Sequence, residues 1–328
     1  LGPGEKRFFG SGYKRVGQCL SGIRTDGSSE PGALVTARAG LNYPQDWSRK
    51  GAGSQLRPHL SSIDALVLAA QLAEIQLNHS RALTAEQQRH TWLCSTEVRA
   101  GTQPHEDLSD FPVLAQLRGT EDGRLPGGPL RSHYDCRIGS LKVRCTFEHA
   151  PGDGGRRNRP ETVYATGDEA LGPARNRHYG DGYKARRNFA EDVAVDLSAQ
   201  RVRARQHVVP EPGDDEATWG AEAAYAPSVS QVDCMISIAQ LAQVLLYNQD
   251  DLPRSSSNTL WMRRILIEAD SPLRPFDGPI DAMAYTTKTR LLSMSDGLWR
   301  CSELAVDDFG GIHGSCSIAH RLPAAATA

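Results

Sequence analysis

The sequence predicts an α+β chain made of two tandem units, each a long buried helix wrapped by an antiparallel sheet. Three observations carry that expectation. First, the stretch Ser61–Leu77, SSIDALVLAAQLAEIQL, returns as Ser230–Leu246, SQVDCMISIAQLAQVLL, at an offset of 169 residues. Second, other landmarks return in the same order at offsets of 169 to 171: GSGYK (Gly10–Lys14) as GDGYK (Gly180–Lys184), TWL (Thr91–Leu93) as LWM (Leu260–Met262), and LKVRCTFEH (Leu141–His149) as IHGSCSIAH (Ile312–His320). Such ordered self-similarity marks a duplicated unit, here of ordinary single-domain size. Third, the repeated helix is apolar around nearly its whole circumference, from Ile63 through Leu77.

The elements follow in order. In the first unit, 1–150, KRFFGSGYKRV (Lys6–Val16) reads as a strand with a tight bend, because aromatic and β-branched letters are broken by glycines. A Gly/Pro/Ser-rich passage follows, then GALVTARAGLNY (Gly32–Tyr43) as a second strand. After the helix, TWLCSTEVRA, FPVLAQLRG and SLKVRCTFEH read as strands separated by Gly- and Pro-bearing turns. Residues 151–178 carry linker chemistry, and the second unit, 179–321, repeats the order. It has VAVDLSAQRVRARQHVV before its helix, and TLWMRRILIEA, DAMAYTTKTRLLSM, LWRCSELAV and GSCSIAH after it. Residues 322–328 read as a loose tail. A helix that is apolar all round is buried, and one central helix wrapped by an antiparallel sheet is the hotdog arrangement. Two fused copies make a double hotdog. Two separate α+β sandwiches would instead require a polar stripe on each helix.

The 37 basic and 39 acidic residues nearly balance, so no overall field points to nucleic acid or an anionic membrane. No apolar run approaches the ~20 residues of a membrane span. Seven cysteines form no C-x-x-C pair and no zinc-spaced cluster, which predicts reduced thiols in a cytoplasmic protein without metal or cofactor. P-loop, G-x-G-x-x-G, H-E-x-x-H and G-x-S-x-G motifs are absent.

Ser61-x-x-Asp64 and Ser230-x-x-Asp233 have capping-box spacing ahead of an apolar run. Asp64 and Asp233 are therefore either caps or a general base at the helix N-terminus, where free N–H groups favour a developing oxyanion. His59, two residues before the helix cap, is near enough to Asp64 in sequence to share one proton-transfer site. Its counterpart is Ser228, and Glu74 is answered by Gln243. Gln71 and Gln240 lie mid-helix, where a buried amide either ties the helix to a strand or lines a pocket. Lys14 and Lys184, two of six lysines, either hold an anionic substrate group or guard a strand edge.

LGPGEKRFFGSGYKRV (Leu1–Val16) followed by LSSIDALVLAAQLAE (Leu60–Glu74) resembles the avirulence protein D family of bacterial enzymes, and the resemblance runs from Leu1 to His320. It implies the making of acyl-sugar lactones of the syringolide type. The implied chemistry joins a β-ketoacyl thioester, on CoA or an acyl carrier protein, to a ketopentose such as xylulose, with ring closure. A monomeric pseudo-dimer or a homodimer is the expected assembly. A more distant similarity is to A-factor-type butyrolactone synthases, which are double-hotdog proteins. Val67 and Ile236 stand where those enzymes and hotdog dehydratases carry a helix Glu, which leaves Asp64 and Asp233 as the nearest carboxylates. The competing expectations are a hotdog dehydratase or thioesterase, and a non-catalytic acyl-binding module.

Overall fold

The structure, a computed structural model, describes residues 3–48, 57–123, 128–153, 159–211, 218–253, 260–274 and 278–323. Strands β1 (Gly17–Thr25) and β2 (Leu34–Asn42) precede helix α1 (Ser62–Arg81) and the short α2 (Ala85–Arg89). Strands β3 (Trp92–Arg99), β4 (Phe111–Asp122), β5 (Leu130–Ile138) and β6 (Leu141–His149) complete the first half. After β7 (Thr162–Thr166) and α3 (Gly167–Leu171) come β8 (Arg186–Asp196), β9 (Arg201–Pro210) and helix α4 (Gln231–Gln249). Strands β10 (Trp261–Ala269), β11 (Ile280–Met294), β12 (Gly297–Val306) and β13 (Ile312–Arg321) close the chain.

Among the described residues, all the named strands join one sheet in the order β7-β1-β2-β4-β5-β6-β3-β10-β13-β12-β11-β9-β8. With β7 set aside, the order reads the same from both ends. The halves meet where β3 pairs antiparallel with β10, and there Glu97 lies opposite Leu266, its own counterpart at the 169-residue offset. The strand order is therefore symmetric about the Glu97–Leu266 pair. Glu97 is held at this junction by Arg99 from its own strand and by Arg264 from the other half. Burial opposes its charge, but these guanidinium bonds outweigh that and hold its carboxyl below the usual range.

The first half packs β1 to β6 around α1, and the second packs β8 to β11 and β13 around α4. Ala65, Val67, Leu68, Ala69, Leu72 and Ala73 are all fully enclosed. Small residues let strands approach from every side, and each enclosed leucine contributes about 1.5–3 kcal/mol. A charge at Leu68 would have no solvated face to turn to. Close approach also explains Gly314 on β13, where an added Cβ would stand 2.4 Å from Ile238 Cδ1 on α4.

Several local expectations are corrected. Lys6–Val16 is not a strand but two 3-10 turns, Gly4–Lys6 and Gly12–Arg15. The Arg7 carbonyl accepts the N–H groups of Gly10, Ser11 and Gly12, and a Cβ at Gly10 would lie 2.1 Å from the Gly4 carbonyl oxygen. Strand β1 falls in the passage read only as Gly/Pro/Ser-rich. Its alternation is interrupted by a register shift between Ser21 and Arg24, with Gly22 at φ +56°. Strand β5 was not expected from the sequence. The stretch read as linker also contains β7, which extends the sheet beside β1, and α3, capped by Thr166 accepting the Glu169 N–H. Residues 324–328 of the expected tail lie outside the described residues.

Candidate functional site

The two long helices begin alike. Ser61 and Ser230 accept the N–H groups of Asp64 and Asp233, at 3.1 and 3.3 Å. At Asp233 the box is reciprocal, because the carboxylate also accepts the Ser230 N–H at 2.9 Å. Asp64 does not reach back to its cap's N–H. Its carboxylate accepts instead from Ser61 Oγ at 2.6 Å, Gln18 Nε2 at 2.6 Å and the Tyr43 hydroxyl. Asp233 accepts from Asn188 Nδ2 at 3.1 Å and Arg186 Nη1 at 3.0 Å. Gln18 and Asn188 are themselves counterparts, at offset 170, on β1 and β8. Burial works against the charge of Asp233, but Arg186, His178 and the Ser230 bonds hold its carboxyl below the usual range. Burial and the Asp64 carboxylate push the Tyr43 hydroxyl well up, so it stays protonated and donates.

The glycine-flanked turns that precede each half cross to the other. Tyr183 stands 3.2 Å from Gln18 Nε2, and Tyr13 stands 3.4 Å from Asn188 Nδ2. Lys14 pairs with Glu211, and Lys184 donates to the Val16 carbonyl at 2.8 Å and to Asp181 at 2.6 Å. The two lysines thus tie the halves together, on 3-10 turns and not on a strand edge. The glutamines do the same: Gln71 accepts from Arg177 Nη1 at 3.4 Å, and Gln240 donates to the Phe9 carbonyl at 2.6 Å.

A cavity of about 810 Å³ lies between the start of α1 and the second half. Its head holds Phe9, Trp47, His59, Ser61 and Ser62. One wall is the α4 face of Met235, Ile238, Ala239 and Gln243, and another is the β10 run from Trp261 to Arg263. Its far side is β11, where Lys288, Arg290, Leu292 and Met294 alternate onto one face, opposite Trp299, Cys301 and Glu303 of β12. His59 sits between Trp47 and Trp261, at ring-centroid distances of 5.7 Å to each. Its Nδ1 lies 3.3 Å from the Arg57 carbonyl, an arrangement that leaves Nε2 with its lone pair.

The structure thus separates residues that sequence proximity put together. His59 lines the cavity, whereas Asp64, 1 % exposed, does not; its oxygens face Gln18 of β1 and Tyr43, the residue after β2. The reason is directional: a side chain in the first helical turn leans back over the cap and here into the sheet, while His59 precedes the cap on the outer side. Asp233, Gln71, Gln240, Lys14 and Lys184 also lie outside the cavity wall.

The pseudo-symmetric position beside α1 is filled. There Glu74, the counterpart of Gln243, accepts the Ala221 N–H at 2.9 Å. Burial raises its carboxyl above the usual range. Glu222 accepts from Leu93 N at 3.1 Å, Tyr179 at 2.8 Å and Arg274 Nη2 at 3.1 Å. What remains is a space of about 10 Å³ beside His178, Arg186 and Ser228. At the two asymmetries visible in the sequence, His59 and Gln243 line the cavity, whereas their counterparts Ser228 and Glu74 lie at the filled position. Residues 49–56, which correspond in sequence to the filling segment, lie outside the described residues. Glu222, Arg274, Tyr43 and the β11 face were missed from sequence. Only Gln18 with Asn188, matched by the repeat, and the alternation from Lys288 to Met294 carried a usable signal.

The profile of the family described as Pseudomonas avirulence D protein (AvrD) matches residues 1–323. No curated protein matches the sequence at a significant level. Among solved structures, a tesB protein of Mycobacterium avium subspecies paratuberculosis is similar at 9% identity and a TM-score of 0.44, covering 88% of this chain and 92% of that one. A hot dog fold protein of Alicyclobacillus acidocaldarius is similar at 8% identity and a TM-score of 0.41, covering 89% and 94%. A MaoC-like dehydratase is similar at 10% identity and a TM-score of 0.40, covering 79% and 82%.

Proposed function

This chain belongs to the Pseudomonas avirulence D protein family, and from that premise we propose that it is a double-hotdog enzyme that joins a β-ketoacyl thioester to a small, xylulose-like keto-sugar. The observation that carries the reading is the cavity, whose polar head at the start of α1 continues into an apolar trough along α4. That shape suits a reactive carbonyl at one end and an acyl chain beyond it, and the volume is within the range of small-molecule sites.

In this reading His59 is the base. It takes the proton of a sugar hydroxyl as that oxygen attacks the thioester carbonyl carbon. The tetrahedral oxygen meets the free N–H end of α1, where helix dipole and amide hydrogens stabilise negative charge. The C–S bond then breaks, and the thiolate leaves with the proton that His59 returns. The same imidazole then takes the acidic proton between the two acyl carbonyls; the carbanion adds to the ketose carbonyl carbon, whose π pair moves to oxygen, and the resulting alkoxide takes the proton back from the imidazolium. Asp64 positions the helix end through its cap and does not touch substrate. The side chains of Lys288 and Arg290 make no hydrogen bond or ion pair with another described residue and face the cavity. They fit the phosphate of a pantetheine-bearing carrier.

A dehydratase would place a helix carboxylate opposite His59, whereas α4 presents Met235, Ile238, Ala239 and Gln243 there. The test incubates the protein with a β-ketoacyl thioester and a panel of ketoses and follows products by mass spectrometry. An acyl-sugar adduct with release of thiol is expected. Hydrolysis to the free acid with every ketose would replace this reading with a thioesterase.

A further inference from the structure

One hairpin changes character between the two halves. β4 and β5 form it in the first half and β11 and β12 in the second, and a cross-strand hydroxyl pair fixes the alignment: Thr120 with Ser132 at 2.8 Å, and Thr289 with Ser302 at 3.3 Å. From that anchor Gly119 corresponds to Lys288, Glu121 to Arg290 and Asp122 to Leu291. Two carboxylates thus give way to a cation and a leucine, and a glycine to a lysine. Further along, Leu292, Met294 and Leu298 complete an apolar tip; with Leu291 they are between 37 % and 58 % exposed. Exposed apolar side chains gathered in this way mark a contact surface.

Alternation along the strands divides the tip between two faces. Lys288, Arg290, Leu292 and Met294 share the cavity face, whereas Leu291 and Leu298 lie on the other face, outside the cavity wall. The cavity is lined by Arg7, Arg263, Lys288 and Arg290 against one carboxylate among the described residues, Glu303. The whole chain has a net charge of -2, so this positive excess is local and favours an anionic partner. The backbone adds a third feature. β9 pairs with β11 only as far as Tyr285, so from Thr287 to Met294 one edge of β11 has no strand beside it among the described residues.

Three other occupants fit these features less well. A CoA tail meets the cations of the cavity face but leaves the leucines of the opposite face uncovered. An anionic membrane would cover both faces, yet hydrocarbon leaves the N–H and C=O groups of the open edge without partners. A second copy would bring the same cations up to one another. An acidic protein suits all the features: its carboxylates meet Lys288 and Arg290, its apolar side chains cover the leucines, and its polar groups serve the edge. We propose that the β11–β12 tip docks an acidic acyl carrier protein, whose phosphopantetheine arm enters the cavity past Lys288 and Arg290. The choice of an acyl carrier rests on the acyl-thioester reading, whereas docking is a matter of binding alone and needs no turnover.

The test measures affinity for two probes that carry the same amide-linked decanoyl chain: an acidic acyl carrier protein of fatty-acid synthesis in its phosphopantetheine form, and CoA. The unaltered protein should bind the carrier at least about tenfold more tightly, because covering two half-exposed leucines is worth about that factor. Leu291→Ser/Leu298→Ser should remove the advantage and leave affinity for the CoA form nearly unchanged. Equal or tighter binding of the CoA form by the unaltered protein overturns the proposal, and this arm decides even if the variant does not fold. A folded variant, verified by an unchanged urea midpoint, that keeps full carrier affinity also overturns it. Tighter binding to phosphatidylglycerol vesicles than to the carrier would replace the carrier with a membrane, and self-association lost in the variant without carrier binding would replace it with a second copy. Carrier-selective binding without condensation of any ketose would leave the docking surface standing and remove the proposed reaction. Condensation from acyl-CoA without carrier binding would do the reverse.

Discussion

The rings of Tyr13 and Tyr183 stack with centroids 6.3 Å apart and planes 18° from parallel, although each comes from a different copy of the repeat. Each hydroxyl lies at the amide of the opposite half's Gln18 or Asn188, and those amides in turn hold the two helix-capping aspartates. The start of each long helix is thus braced by the turn that opens the other half. Burial raises both phenols, so each remains neutral at physiological pH.

This exchange predicts that neither half is stable alone. A chain ending at residue 150 retains Gln18 and Gln71 but lacks Tyr183 and Arg177, and it exposes the unpaired edge of β3. Expressed separately, it should show no cooperative urea transition, and mixing it with residues 151–323 should restore one.

The two capping aspartates should differ in what their loss costs. Asp233→Ala removes the carboxylate that faces the Arg186 guanidinium, which is 9% exposed in its side chain and keeps the Ser228 carbonyl as an acceptor. Breaking a buried pair in this way costs on the order of 3–5 kcal/mol. Asp64→Asn removes acceptors for neutral donors and should cost roughly 1–2 kcal/mol. Urea midpoints for the two variants measure the difference, and equal losses would contradict the ion-pair account.

Catalysis should follow His59. His59→Ala is expected to lower kcat by about 10²–10⁴-fold with the fold intact, the usual worth of general acid–base transfer. Asp64→Asn should lower stability with a much smaller loss of kcat. If Asp64→Asn proves as damaging to kcat as His59→Ala in a folded protein, the assignment of the base is wrong.

Removing the cations of β11 separates carrier recognition from chemistry. Lys288→Ala/Arg290→Ala should raise KM for CoA-borne or carrier-borne acyl thioesters while leaving kcat nearly unchanged. A short thioester without phosphate should be indifferent to the change, and added salt should reproduce the defect in the unaltered protein.

Stability should fall in mild acid. Burial pushes His149 and His178 down to about 4. In the unfolded chain each takes up a proton near ~6.5. Between those values the unfolded state binds more protons, so stability is full above about 6.5 and declines as pH falls toward 4. The slope is roughly 1.4 kcal/mol per pH unit for each imidazole. Urea midpoints at pH 7.5, 5.5 and 4.5 should record the decline, and His149→Gln should reduce its slope.

The two caps and the enclosed helices were legible in the amino-acid order, because each is a local pattern: a Ser-x-x-Asp step, a helix without a polar face. The asymmetries His59/Ser228 and Glu74/Gln243 were legible too, but their meaning was not. Sequence order put His59 beside Asp64, whereas the helix turns Asp64 into the sheet and leaves His59 on the cavity. Lys14 and Lys184 read as holders of an anionic group or guards of a strand edge until the crossing turns bring them to the other half. The filling of the position beside α1 depends on Glu222 meeting Leu93 and Arg274, residues 129 and 52 positions away. Local order determines periodicity and caps; contacts made at such separations arise only when the sheet closes the two halves on one another, and only the tertiary structure decided them.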